Sequence, residues 1–222
     1  MHHLNNEVVF IEIMGGKIFN GSLIDSSDEI FVIHVNNQFV YLPTDHIYTL
    51  ERDIDNENNI QSPSEIPQFI TKVNQDLTLF NILSMAKGLH VELMVTRNEA
   101  LHGVITSVMD DYFVFQSPIY NTMYIPNKHL KWIIPHIKND LPYGISETEF
   151  LSLSKIKLPT LKKQFADQIA ELKGQLVILN LGKDFSHIGK INHVEGRLIE
   201  MKDGKSNTIY CNLSHIQIVN PV

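Results

Sequence analysis

The sequence predicts a mainly β protein made of three tandem, small five-stranded barrels, with a short helix ahead of the second and third. Three observations predict this. A Tyr-x4-His phrase occurs three times, as YLPTDHI (41–47), YIPNKHL (124–130) and YCNLSHI (210–216). A glycine precedes each His by 25 or 26 residues, and short runs rich in Val, Ile, Tyr and Phe surround each phrase. The period of 83–86 residues is domain-sized and too long for a solenoid unit.

The helices are predicted from apolar residues at three- to four-residue spacing, followed by a residue that tolerates the left-handed conformation. In the third copy, Thr160 is the predicted N-cap, and the apolar positions are Leu161, Phe165, Ile169 and Leu172. In the second copy they are Leu77, Phe80 and Leu83, after Asp76. Gly88 and Gly174 each follow a Lys, and Asn6 holds the matching position in the first copy. Because little sequence precedes Asn6, a helix in the first copy is expected to be short or missing.

Five strands are predicted in each copy. In the second copy they are HVELMV (90–95), GVITSV (103–108), YFVFQ (112–116), TMYIP (122–126) and LKWII (130–134). The first copy has VVFIEIM, GSLID, EIFVIHV, QFVYL and IYTL, and the third has QLVILNL, GKINHV, RLIEM, TIYCN and IQIV. The hairpin turns are assigned to Gly15-Gly16, Asn36-Asn37, Asp203-Gly204 and Ser206-Asn207.

A helix followed by five short, bent strands within about 60 residues is typical of Sm-like and SH3-like barrels. The recurring glycine of strand two (Gly21, Gly103, Gly189) is expected to mark a sharp bend. A one-turn 3₁₀ connection is expected between strands four and five. The predicted domains are barrel repeat one at 1–58, helix plus repeat two at 64–138 and helix plus repeat three at 160–222. Linkers are assigned to 51–63 and 139–159, the second with a capping box at Ser146 and Glu149.

Composition limits the function classes. The chain has 222 residues, of which 43% are hydrophobic, with a net charge of −7. Such a chain can bury sizeable cores, and its charge argues against general attraction to nucleic acid or anionic membranes. The sequence contains no run of 18 apolar residues, so no membrane span is predicted. The segment MHHLNNEVVF lacks the features of a secretory signal. Cys211 is the single cysteine, which rules out an intrachain disulfide, and it is expected to be a buried, inert thiol.

Charge is unevenly distributed along the chain. Residues 1–58 hold two Lys/Arg against ten Asp/Glu, whereas residues 161–222 hold eight against six. An acidic head and a mildly basic tail suit head-to-tail association; an ordinary solvated surface is the other interpretation.

The Tyr/His pairs (Tyr41/His46, Tyr124/His129, Tyr210/His215) are candidate catalytic residues, because His is a common acid–base catalyst. No carboxylate, Ser or Cys recurs beside them; Asp45 is replaced by Lys128 and Ser214 at the matching positions. We therefore interpret the Tyr as a packed strand residue and the His as satisfying backbone groups at the 3₁₀ turn. An enzyme is not expected, and no catalytic, cofactor-binding or metal-binding residues are assigned.

Three kinds of ligand site are alternatives to a structural role for these segments. Three imidazoles could bind zinc if the three turns met, but the other histidines form no HxH or HExxH pattern. MGGKIFNG is not a phosphate loop and is explained by a hairpin turn. In RNA-binding Sm proteins, a loop that runs from an Asp to an Asn after strand two, and an Arg-Gly or Lys-Gly before strand five, hold the base. Here the corresponding segments are DSSDEIFV, VMDDYFVF and VEGRLIEM, then PTDH, PNKH and NLSH, without those residues.

The repeated pattern is a helix ending in Lys-Gly, a hairpin, a G-h…DY-h stretch, and hYhP-x-x-Hh-x-x-h (h, hydrophobic). It resembles the repeats in the N-terminal region of spore coat protein B of Bacillus-type spore formers, most closely in DDYFVFQ (110–116) and MYIPNKHLKWI (123–133). That family has a long Ser/Lys/Arg-rich C-terminal tail, which does not follow the third repeat here. The resemblance implies a structural component of the spore coat, made in the mother-cell cytoplasm without a signal peptide.

The sequence thus predicts a non-enzymatic scaffold that assembles through barrel edges and surface contacts, strand four of one unit pairing with strand five of the next. The expected partners are other spore coat proteins or a second copy of the chain, with no cofactor, no membrane and no nucleic acid. The alternative function is an Sm-like nucleic-acid-binding or regulatory adaptor.

Overall fold

A computed structural model describes residues 4–64, 66, 76–96, 100–136, 141–156, 158–182 and 187–222. Within these ranges the chain forms fifteen strands and three α-helices, and every strand pairing is antiparallel. The predicted mainly β fold is confirmed. None of the helices in the described part of the chain combines the length and the apolar character needed to cross a membrane.

The elements follow the order expected from the repeats. Repeat one contains β1 (Val8–Ile13), β2 (Lys17–Ser26), β3 (Ile30–Val35), β4 (Gln38–Pro43) and β5 (Ile47–Arg52). Repeat two contains α1 (Leu79–Met85), β6 (His90–Met94), β7 (Leu101–Val108), β8 (Tyr112–Ser117), β9 (Asn121–Pro126) and β10 (Trp132–His136). The linker helix α2 (Glu147–Ser154) follows. Repeat three contains α3 (Phe165–Ala170), β11 (Leu176–Leu179), β12 (Ile188–Glu195), β13 (Leu198–Asp203), β14 (Thr208–Asn212) and β15 (Val219–Pro221).

The chain divides into two compact units that do not follow the repeats. Unit 1 comprises Met1–Leu101 and Leu130–Asp140, and its strands lie in the order β6-β10-β4-β3-β2-β1-β5. Unit 2 comprises His102–His129 and Leu141–Val222, with the order β14-β13-β12-β11-β15-β9-β8-β7. Each unit therefore combines one whole repeat with strands of repeat two. The predicted domain boundaries, 1–58, 64–138 and 160–222, stay a prediction.

Among the described residues, no pairing joins strand four to strand five of the same repeat. The free side of β4 is taken by β10, and that of β9 by β15. The hydrogen-bonded order is therefore open in both units, and closure of each repeat into a separate barrel stays a prediction.

The recurring glycine of strand two has a different cause from the predicted bend. A Cβ atom at Gly21, Gly103 or Gly189 would overlap a backbone carbonyl oxygen of the neighbouring strand, at His34, Gln116 and Lys202 respectively. The glycine thus allows close approach of two backbones. The bend itself comes three residues later, where the register shifts at a β-bulge in β2, β7 and β12.

The predicted helix ends are confirmed, but both predicted helix starts are too early along the chain. Asn6, Gly88 and Gly174 have φ values of 70°, 78° and 84°, in the left-handed region. The helix α3 begins after Gln164 and not after Thr160. Two side-chain hydrogen bonds explain the later start. The Lys162 amide donates to Gln168 Oε1 at 2.9 Å, and the Phe165 amide, the first of the helix, donates to Asp111 Oδ1 at 2.7 Å. The helix α1 is capped by Thr78, whose hydroxyl accepts from the Asn81 amide, two residues later than the predicted start after Asp76.

The remaining local predictions mostly hold. The 3₁₀ turns before strand five are confirmed at Thr44–His46, Asn127–His129 and Leu213–His215. The capping box of Ser146 and Glu149 is present at the start of α2. The strand predicted from QLVILNL is shorter than expected, because Asn180 and Leu181 turn into the left-handed region.

Candidate assembly surface

The first junction between repeats lies in unit 1, where β10 of repeat two pairs with β4 of repeat one. Ile133 lies opposite Tyr41. Trp132 and Ile134, also on β10, are buried in the core that repeat one builds from β1 to β4. The Trp132 ring meets Phe19 edge to face at 6.2 Å between centroids, and Lys17 Nζ lies 4.4 Å from its centroid. Strand five of repeat two therefore completes the core of repeat one.

The second junction lies in unit 2 and repeats the same pairing, with β15 of repeat three against β9 of repeat two. Val219 lies opposite Tyr124. Asn220 Nδ2 donates to the Tyr120 and Thr122 carbonyl oxygens at 3.0 and 3.3 Å, and Lys128 Nζ donates to the Ser214 carbonyl oxygen at 3.0 Å. In both junctions the Tyr lies five residues before its repeat's His, and its partner lies four residues after the next repeat's His. The two junctions are therefore equivalent.

Each of the two helices that open a repeat is held by a carboxylate of the preceding repeat. The Leu79 amide donates to Glu29 Oε2 at 2.9 Å, and the Phe165 amide donates to Asp111 Oδ1 at 2.7 Å. Both acidic residues immediately precede strand three of their repeat. A carboxylate at a helix N-terminus satisfies a free amide and interacts favourably with the helix dipole. Sequence reasoning missed this role, although an acidic residue at the same place in repeats one and two was a usable signal.

A buried amide fixes α3 on the sheet of repeat two. Gln168 is 1% exposed, and its Oε1 accepts from the Lys162 amide and lies 3.2 Å from the Tyr112 hydroxyl. The same side chain hydrogen-bonds to Tyr124. Phe165 and Ile169 of α3 join Tyr112 and Tyr124 in one core cluster. Tyr124 is thus buried both by α3 and by the pairing of β15 with β9.

The histidines of the repeated phrase lie at the ends of the three 3₁₀ turns, His46 and His129 half-buried and His215 exposed. The Met14 amide donates to the His46 carbonyl oxygen at 2.8 Å. The predicted role of the rings themselves at the turn stays a prediction. No group of three or more His, Cys, Asp or Glu placed to hold a metal ion occurs in the ranges that the structure describes. Cys211 is half-buried, and burial raises the pKa of its thiol.

The third tyrosine of the phrase lies on an unpaired edge. Tyr41 and Tyr124 are 1% and 2% exposed, whereas Tyr210 is 65% exposed. Among the described strands, β14 pairs only with β13, and β5 pairs only with β1. Leu50 on β5 matches Ile133 and Val219, which are fully buried, yet it is only partly buried. Within the described ranges, one edge of a strand four, β14, and one edge of a strand five, β5, are therefore unpaired.

The sequence has a relative of similar length. It is 30% identical over 224 residues to the Bacillus subtilis (strain 168) protein named "Uncharacterized protein YwrJ", a match that covers 98% of this chain and 96% of the relative. The chain belongs to the YwrJ family. A family model described as the YwrJ third domain also matches, over residues 164–219, which in this YwrJ-family protein run from the residue before α3 to the start of β15.

The buried tyrosines are expected to make the YwrJ-family protein sensitive to alkali. Burial raises the pKa of Tyr41, Tyr112 and Tyr124 above the ordinary value of 10.0. Above about pH 10 the unfolded chain loses these protons while the folded chain keeps them, so the free energy of unfolding falls as pH rises. The expected loss approaches about 1.4 kcal/mol per pH unit for each tyrosine that stays protonated in the folded chain. Urea denaturation at several pH values between 8 and 11 measures it.

A pair of Tyr→Phe variants separates this effect from general alkaline damage. Tyr41→Phe removes one buried phenol. The free energy of unfolding of this variant is expected to fall less steeply with pH, by up to about 1.4 kcal/mol per pH unit. Tyr48→Phe in the same unit, at a side chain that is 70% exposed, is the control and should leave the slope unchanged. Equal slopes for both variants and the parent protein would contradict the prediction.

Proposed function

We propose that this YwrJ-family protein is a non-enzymatic structural protein that assembles through its strand edges. The observation that carries the proposal is the pair of equivalent junctions, Tyr41 opposite Ile133 and Tyr124 opposite Val219. Both use the unpaired edge of a strand four as a template for a strand five, which is how sheet edges recruit further chains. Among the described strands, β14 and β5 each keep one such edge unpaired.

We further propose that each repeat is a small Sm-like or SH3-like barrel. Repeat one has its five strands in the order β5-β1-β2-β3-β4, and repeat three has the matching order β15-β11-β12-β13-β14. In both, a bulge in strand two bends the sheet at the same place. The family model for a third domain, at residues 164–219, supports treating repeat three as one structural unit.

The cellular setting proposed for the scaffold is the spore coat. It is supported by the resemblance of DDYFVFQ (110–116) and MYIPNKHLKWI (123–133) to the repeats of spore coat protein B. In this proposal the chain is made in the mother-cell cytoplasm and joins either other coat proteins or copies of itself. The acidic residues where RNA-binding Sm proteins use other side chains favour the scaffold over an adaptor for nucleic acid. Two of them, Glu29 and Asp111, hold helix amides.

A fluorescent fusion expressed from the native promoter tests the setting. We expect the signal to appear only during sporulation and to gather at the surface of the developing spore, while the free fluorescent protein from the same promoter stays diffuse. Equal accumulation in growing cells would overturn the spore coat assignment. Binding of single-stranded RNA that weakens steeply with salt would replace the scaffold by the adaptor, because counterion release marks phosphate contacts.

A further inference from the structure

We infer that the protein pairs with a second copy of itself, with β14 of one molecule adding to β5 of the next. The inference rests on the proposed scaffold function and names its partner. The chain already makes this pairing twice between its own repeats, at β4–β10 and at β9–β15. Of the described strands, β14 and β5 are the strand four and the strand five that this pairing leaves without a neighbour.

The repeat positions fix the register of the contact. Tyr210 matches Tyr41 and Tyr124, and Leu50 matches Ile133 and Val219. Tyr210 of one molecule therefore lies opposite Leu50 of the next. The contact would bury a tyrosine that is 65% exposed in the isolated chain, as the two internal junctions bury theirs. A shallow groove beside this edge is lined by His193, Glu195, Leu198, Glu200 and Tyr210.

The outer face of repeat three is adapted to a neighbour that brings a strand but no helix. In repeats one and two, Glu29 and Asp111 receive the first amide of the next repeat's helix. The matching residue in repeat three is Arg197, whose positive charge opposes a helix N-terminus. Likewise, Val32 and Val114 lie buried opposite Tyr41 and Tyr124, whereas Glu200 lies opposite Tyr210.

Repeat one is the matching neighbour. Residues 4–7, which the structure describes ahead of β1, form a turn and offer no α-helix N-terminus for Arg197 to oppose. The charges of the two repeats also favour a contact between repeat one of one molecule and repeat three of the next. Residues 1–58 hold ten Asp/Glu against two Lys/Arg, and residues 161–222 hold eight Lys/Arg against six Asp/Glu. Opposite charges steer a head toward a tail and disfavour head-to-head contact.

Interchain disulfide formation tests the register directly. Tyr210→Cys and Leu50→Cys are introduced on separate full-length chains that also carry Cys211→Ser, because Cys211 is the single native thiol. Directly opposed residues in antiparallel strands have Cβ atoms about 4.5–5.5 Å apart, within reach of a disulfide after small adjustments. We expect the mixture to form the mixed dimer under mild oxidation. Ile209→Cys paired with Leu50→Cys is the matched control, because neighbouring strand positions face opposite sides and should not cross-link.

Sedimentation velocity over a concentration series tests the association without cysteines. The parent chain is expected to sediment faster as concentration rises, and Tyr210→Asp is expected to weaken self-association by about tenfold or more. Tyr143→Asp, at a side chain that is 56% exposed in the same unit, is the control and should associate like the parent. The contact joins different faces, so it either closes a ring or extends as a filament. A parent chain that stays monomeric at high concentration, or cross-links that favour Tyr210→Cys with itself, would overturn the inference.

The two proposals can fail separately. A monomeric chain whose fusion still gathers at the spore surface would overturn self-pairing and leave the scaffold function with another partner. A chain that pairs through Tyr210 and Leu50 but accumulates in growing cells would overturn the spore setting and leave self-pairing intact.

Discussion

Replacing Gly103 with alanine is expected to destabilise the protein by about 4 kcal/mol or more, a large part of the total stability of an ordinary domain. The added Cβ would overlap the carbonyl oxygen of Gln116 and press against the ring of Phe115. Both are fully buried on β8, so neither the backbone nor the ring can move aside without separating β7 from β8. Urea denaturation followed by far-ultraviolet circular dichroism measures the change.

Gly204→Ala is the matched control for this substitution. No atom lies within 4 Å of a Cβ built at Gly204, so its stability should change by less than about 1 kcal/mol. The repeats add an internal test, because Gly21→Ala and Gly189→Ala would overlap the carbonyl oxygens of His34 and Lys202 in the same way. If Gly103→Ala unfolds at the same urea concentration as Gly204→Ala, close backbone contact is not what requires the glycine.

The sequence predicts best what depends on neighbouring residues along the chain. The left-handed residues Asn6, Gly88 and Gly174 were identified from spacing, because few residues other than Gly and Asn adopt that conformation at a helix end. The capping box of Ser146 and Glu149 and the 3₁₀ turns are also predictable, because each is determined by residues close together along the chain. These features need only a few residues to form.

Features that depend on distant residues were mispredicted or missed. Thr160 has a good local signal for an N-cap, yet α3 begins later, at Phe165, whose amide donates to Asp111. Asp111 lies 54 residues away from Phe165 along the chain. A single sequence gives no measure of such contacts, and only the repeat alignment hints at them.

The sequence predicts which strands pair at the junctions, but not that residues of one repeat are buried in the core of another. The resemblance to Sm-type assembly suggested that strand four meets strand five, and β4–β10 and β9–β15 do so. Nothing in LKWII (130–134) indicated that Trp132 and Ile134 would join the core of repeat one. Their apolar character fits any buried strand, and the partner becomes apparent only when the register is known.

Replacing Trp132 with alanine is therefore expected to disrupt the first junction as well as the core of repeat one. The side chain is 1% exposed, packs edge-on against Phe19 and lies beside the Lys17 ammonium group. Removing a buried aromatic ring leaves a large cavity and costs about 3–5 kcal/mol. Because Trp132 lies on β10 next to Ile133, the loss also loosens the contact of β10 with Tyr41 on β4. Urea denaturation measures the stability, and hydrogen exchange measures protection of the β4 amides.

Trp132→Phe separates the loss of volume from the loss of the indole. The indole N–H is buried without an acceptor among the described residues, so removing it relieves an unsatisfied donor. Phenylalanine also keeps an aromatic ring against Phe19, and its cost is expected to stay below about 2 kcal/mol. Tyr48→Ala, at a 70% exposed position on β5, should change stability by about 0.5 kcal/mol or less. Equal losses for Trp132→Ala and Trp132→Phe would contradict the prediction, because an aromatic ring against Phe19 would then not preserve the junction.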